Sequence, residues 1–205
     1  MDIRRTSHTG RFLLLGLLPF LVLLGSGAVR ASSPADASDL VGGRVRLEDP
    51  TPARTELVDW AVGRYQAAGL ELPSIDLQFH ETDAGCHGNV GWTDGFDVEL
   101  CTRLAMEAGP QRIVLHELAH AWCNANLDEA GREAFDRFRG SPSWNGSTSS
   151  WKARGTEQAA EIIAWGLGDG TMLPLIEGDV SPEGLASAFE LLTGRAPLHG
   201  SSVAA

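Results

Sequence analysis

The apolar positions of the 205-residue chain change their period along its length, and each change predicts an element. An unbroken apolar run, FLLLGLLPFLVLL, occupies residues 12–24 and is followed by the small-residue stretch GSGAVRA. From Ser32 to Pro52 no period is visible among Ser, Ala, Asp and Pro, which predicts a flexible leader over 32–52. In TPARTELVDWAVGRYQAAGL the residues Leu57, Trp60, Ala61, Tyr65 and Ala68 then recur at helical intervals, with Thr51 as cap and Pro52 in the first turn. SIDLQFHE alternates Ile75, Leu77 and Phe79 with polar residues, and FDVELC alternates Phe96, Val98 and Leu100; both predict half-buried strands. Helical spacing returns after Gly109 and Pro110 and runs to about Asn124. It recurs in LDEAGREAFDRF, in TEQAAEIIAWGL and in SPEGLASAFELLTG, where Ser181 caps and Gly194 terminates. This is an α+β pattern in one domain over 53–198, with a disordered tail at 199–205.

The first run takes its meaning from its flanks. Arg4, Arg5 and Arg11 precede it, and Val29 and Ala31 occupy small-residue positions, so residues 1–31 read as a secretory signal peptide with the mature start near Ser32. No second membrane segment follows, and no stable membrane association is expected after cleavage. Removing 1–31 takes away four arginines and one aspartate and moves the formal charge from −11 to −14, which argues against nucleic acid as a partner. Export makes a disulfide possible among the three cysteines. Cys86 and Cys101 bracket the hairpin-like GNVGWTDGFDVEL and are the expected pair, a closure worth about 3 kcal/mol in the chain-entropy model; Cys101 with Cys123 stays open.

The candidate chemistry lies in VLHELAHAW, residues 114–122. His116 and His120, four apart, share one helix face and can meet one ion, while Glu117 can reach a water beside it. Uncharged neighbours on both sides suit a dry zinc site. These residues resemble the active-site helix of the zincin metallopeptidases. Metzincins carry a glycine and a third histidine where this chain has Cys123 and Asn126, so the resemblance is to gluzincins, which take a glutamate from a later helix. Glu157 and Glu161, four apart in TEQAAE with small Ala159 and Ala160 between, match that pattern. The resemblance implies a small zincin-like fold over about residues 53–168, with a backing helix, a short sheet, a metal helix and a glutamate helix. It further implies Zn2+ on His116, His120 and Glu157, with Glu161 steadying a histidine where the thermolysin-like pattern usually has aspartate.

The expected function is a secreted zinc metallopeptidase acting on a peptide or protein substrate, with Glu117 as general base. A non-peptide amide is a second substrate class. The rival is a secreted non-catalytic zinc-binding or adhesion protein that keeps the fold. Glu129 and Glu133 compete for the third ligand position, although they lie on a charged helix face. His80, His87, Arg154 and Tyr65 are weaker candidates for substrate or oxyanion contacts, and Cys123 reads as a small buried residue. Trp144 and Trp151 flank a Gly/Ser-rich loop that either packs or covers substrate. Asn145 begins an acceptor triplet for glycosylation.

Overall fold

Thr51 stands in extended backbone and accepts a hydrogen bond at Oγ1 from the Arg54 amide (3.3 Å), and Pro52 opens the turn that follows. In the computed structural model, which describes residues 40–102, 109–147, 149–171 and 174–199, the resulting helix α1 spans Pro52–Ala67. Val58, Ala61, Val62 and Tyr65 form its buried face, with Leu57 and Trp60 half-buried at the margin.

Strands β1 (Leu40–Val41), β2 (Val45–Leu47), β3 (Ile75–His80), β4 (Gly91–Asp94) and β5 (Asp97–Cys101) form one sheet in the order β1-β2-β3-β5-β4. β3 is central and parallel to both β2 and β5, and the edge strands β1 and β4 are antiparallel to their neighbours. The alternation that predicts β3 buries Ile75 and Leu77. The predicted hairpin is β4 and β5 joined through Gly95 and Phe96, with Gly95 at φ 63°. Phe96 therefore departs from its expected inward position: it belongs to the turn and is 43% exposed, while Val98 and Leu100 are buried.

The flexible leader expected over 32–52 is corrected at its second half. Leu40–Val41 and Val45–Leu47 are strands of the sheet, with Val45 and Leu47 buried and Arg46 between them paired in two places with Asp76 on β3 (both 2.6 Å). Three alternating residues are too short a run for periodicity to register, so the strand is stabilised by its neighbour rather than announced locally. The signal-peptide segment and residues 32–39 lie outside the described residues. The expected tail is corrected at its first residue: His199 packs edge-on against Trp165 (4.4 Å), and the Leu198 amide bonds to Gly166 O (2.8 Å).

Four more α-helices follow among the described residues: α2 (Pro110–Asn126), α3 (Glu129–Arg139), α4 (Gly155–Leu167) and α5 (Pro182–Thr193). Ser181 caps α5 through its hydroxyl, and Gly194 ends it at φ 66°. The fold is mixed α+β, with α2 packed against β4, β5, α1 and most extensively α4. Tyr65 is fully buried and donates its hydroxyl to Leu115 O (2.9 Å), tying α1 to the backbone one residue before His116. A disulfide joins Cys86 to Cys101, as expected, and Cys123 is free and buried. No described helix is long and apolar enough to cross a membrane.

Candidate metal centre

α2 is buried on nearly all sides, so its polar residues must find partners inside the protein. Ile113, Val114, Leu115, Leu118, Ala119 and Ala121 fill the apolar contacts, and small Ala159 and Ala160 let α4 lie close alongside. Between the two helices His116 and His120 point their Nε2 atoms at one place, 3.1 Å apart. Glu157 Oε2 on α4 completes the triangle at 3.3 Å from His116 Nε2 and 3.5 Å from His120 Nε2. These three atoms could hold a metal ion.

The outward ring nitrogens are also faced. His116 Nδ1 lies 3.2 Å from Glu161 Oε1, within ion-pair distance but short of hydrogen-bond geometry. His120 Nδ1 lies 3.3 Å from Thr156 Oγ1. Partners on Nδ1 favour the tautomer that leaves Nε2 free to bind a cation. Glu161 is nearly inaccessible and serves three groups: His116, the Arg112 guanidinium, and the Leu175 amide at 3.2 Å.

Glu117 stands apart from the triangle. Its Oε2 accepts from Thr93 Oγ1 on β4 (2.8 Å), and a Cβ on Gly91 of the same strand would lie 2.5 Å from its Oε1 and 2.7 Å from its Cγ. Only a residue without a side chain lets β4 pass so close.

Without a cation the cluster holds a proton in its place. Burial lowers the affinity of the His116 imidazole for a proton, but Glu157, Glu161 and the Glu117 charge outweigh burial and raise its pKa to about 10. For Glu157, burial raises the pKa and the paired histidines bring it down to about 2. Glu161 reaches the same value by the same opposition, with burial countered by His116 and then Arg112.

The triangle, Glu117, β4 and Trp151 line one cleft of about 1040 Å³. Trp151 is 41% exposed and lies over the His116 ring at 6.1 Å with 23° between planes, whereas Trp144 packs against Phe135 and under Arg132. Arg154 also lines the cleft, and Tyr65 does not. His80 and His87 fall elsewhere: His80 lies 3.9 Å from Glu99, and His87 leans on Trp92 (4.9 Å). Glu129 and Glu133 are exposed on α3, away from the histidines, and Glu133 faces Arg137 at 3.4 Å. Burial pushes the Cys123 thiol up to about 12, which makes it inert at neutral pH.

Sequence reasoning missed Thr93, Gly91, Thr156 and Arg112. Arg112 carried a signal, since it precedes His116 by four residues and shares its face. Thr93 and Gly91 carried none, because they reach Glu117 only through the packing of a strand on a helix. No protein-family model, curated protein or solved structure matches the chain.

Proposed function

We propose that this protein is a secreted zinc hydrolase, a metallopeptidase of gluzincin type that cleaves peptide bonds. The observation that carries the reading is the division of labour among carboxylates: Glu157 joins the two histidines, while Glu117, beside the same cleft, is held off by Thr93. Zinc at 2.0–2.1 Å from tetrahedral ligands sets those ligands about 3.3–3.4 Å apart. The separations of 3.1, 3.3 and 3.5 Å fit that size, and two imidazoles with one carboxylate are a donor set zinc accepts. A disulfide is compatible with an extracellular location and supports secretion.

When bound, zinc supplies Lewis-acid chemistry, polarising a carbonyl and lowering the pKa of a water toward about 7. The chain's own residues do the rest. Glu161 and Thr156 face the outward nitrogens of the two histidines and steady their rings. Thr93 holds one oxygen of Glu117, leaving Oε1 to accept a proton from the attacking water. The same carboxyl then gives that proton to the departing amine, which balances the hydrolysis. A purely structural zinc site takes four protein ligands and gives Glu117 no role.

Glu117→Gln should keep zinc at wild-type stoichiometry and lose hydrolysis of a mixed peptide library. Metal analysis and product mass spectrometry on the same preparation check it. Undiminished turnover removes Glu117 from the mechanism, and a zinc-loaded wild type that cleaves nothing leaves the non-catalytic reading.

A further inference from the structure

The carboxylates around the metal centre each have partners of their own. Glu161 is held by Arg112, Glu157 lies between the histidines, and Glu117 is held by Thr93. One cation in the same cleft is left over. Arg154 lines it beside Trp151 and Asn145, yet no carboxylate or carbonyl among the described residues accepts from its guanidinium. Its Nε is shielded from solvent and has no hydrogen-bond partner. Its backbone, in contrast, is fixed: the amide bonds to Trp151 O (3.2 Å), and its carbonyl accepts from Gln158 (3.0 Å), three residues from Glu157 in the chain.

A guanidinium offers five donors and no acceptor, and leaving one of them, Nε, shielded from water without a partner costs free energy unless a ligand supplies an acceptor. The planar fork matches a carboxylate, which can accept two parallel hydrogen bonds. That this arginine stays unpaired in a chain of net charge −11, within a cleft that also holds four acids (Asp94, Glu117, Glu157 and Glu161), marks the position as reserved for an anion from outside.

Resting on the peptidase reading, we infer that Arg154 is a specificity-determining residue that binds a carboxylate of the peptide substrate, supplied by its C-terminus or by an acidic side chain. A terminal carboxylate would make the enzyme trim peptides from their C-terminal end, and an acidic side chain would select an internal bond.

Four probes separate the sources: acetyl-Ala-Ala-Ala and its C-terminal amide, and acetyl-Ala-Asp-Ala-amide with its Asn counterpart. Their affinities are measured by calorimetry on zinc-loaded Glu117→Gln protein, which needs no turnover. In one of the two pairs the carboxylate member should bind about 10- to 100-fold tighter. Adding Arg154→Gln should reduce that preference to less than about 3-fold. Arg154→Lys, which keeps the charge but not the fork, should retain part of it. Because the side chain makes no internal hydrogen bond, neither variant should melt below the parent. A carboxylate preference that survives Arg154→Gln, or no preference in either pair, overturns the inference. So does a kinetic result in otherwise wild-type protein in which Arg154→Gln lowers kcat equally for acid and amide, since that marks an oxyanion donor. Arg154-dependent binding without cleavage by the wild type would instead count against the peptidase reading alone.

Discussion

The helical wall of the cleft and its strand wall are built on different terms. Along α2 and α4, side chains converge: His116, His120 and Glu157 meet, and behind them Glu161, itself held by Arg112, faces His116 while Thr156 faces His120. Along β4 the contribution is one hydroxyl and one missing side chain, Thr93 and Gly91, and both bear on Glu117. The helical wall carries the three atoms that could hold a cation, and the strand wall fixes where the Glu117 carboxylate stands beside them. Perturbing one wall should therefore move metal affinity, and perturbing the other should move turnover.

The helical wall breaks most severely at Glu157. Glu157→Gln should weaken zinc binding by more than about 100-fold, beyond the roughly 10- to 100-fold expected for Glu161→Gln, which removes a partner of the ligand rather than a ligand. Chelator competition on these two variants, with Glu129→Gln and Glu133→Gln as exposed controls, gives the ranking; the largest loss at either control would remove Glu157 from the centre. On the strand wall, Gly91→Ala drives a methyl into the Glu117 carboxylate, an overpacking worth about 1–3 kcal/mol. Zinc affinity should stay within about 2-fold while turnover falls about 100-fold, the cost of displacing a reacting group by an ångström. Equal losses in affinity and turnover would dissolve the distinction between the walls.

The smallest effect sharpens the helical wall through pH. In the metal-free protein His116 is raised from 6.5 to about 10, so its stabilisation is complete below pH 6.5 and lost as pH rises through about 10. Glu157 and Glu161 are lowered from 4.5 to about 2, so theirs is complete above pH 4.5 and lost as pH falls through about 2. The centre stabilises the metal-free fold most between pH 4.5 and 6.5. Zinc must displace the His116 proton, so its affinity should rise about tenfold per unit between about pH 6.5 and 8. Thermal melts with and without zinc across this range should diverge as pH rises; convergence would show that His116 carries no proton to displace.

The same division explains what could be read from the chain. α2 and α4 are long and periodic, so the faces carrying His116, His120, Glu157 and Glu161 follow from spacing alone, as do the Thr51 and Ser181 caps. The Cys86–Cys101 pair was legible because a two-residue turn folds the hairpin between the cysteines back on itself. Thr93 and Gly91 were hidden because a strand of four residues says little about which helix crosses it. β1 and β2 were hidden by brevity, and His80 and His87 were only weak candidates because residue type alone does not fix position. Arg154 was visible as a residue, but its lack of an internal partner is a property of the folded cleft.

The hydrogen bond from the Leu175 amide to Glu161 Oε2 has a consequence beyond the cleft. Leu175 is 51% exposed and lies in the connection between α4 and α5, where an amide would ordinarily exchange with solvent freely. Here its protection rests on a carboxylate that also faces His116 of the candidate metal centre. Its deuterium uptake thus reports on the interior from the surface. Whatever fixes Glu161 slows exchange at Leu175, and by reciprocal linkage whatever detaches this connection loosens the hold on His116.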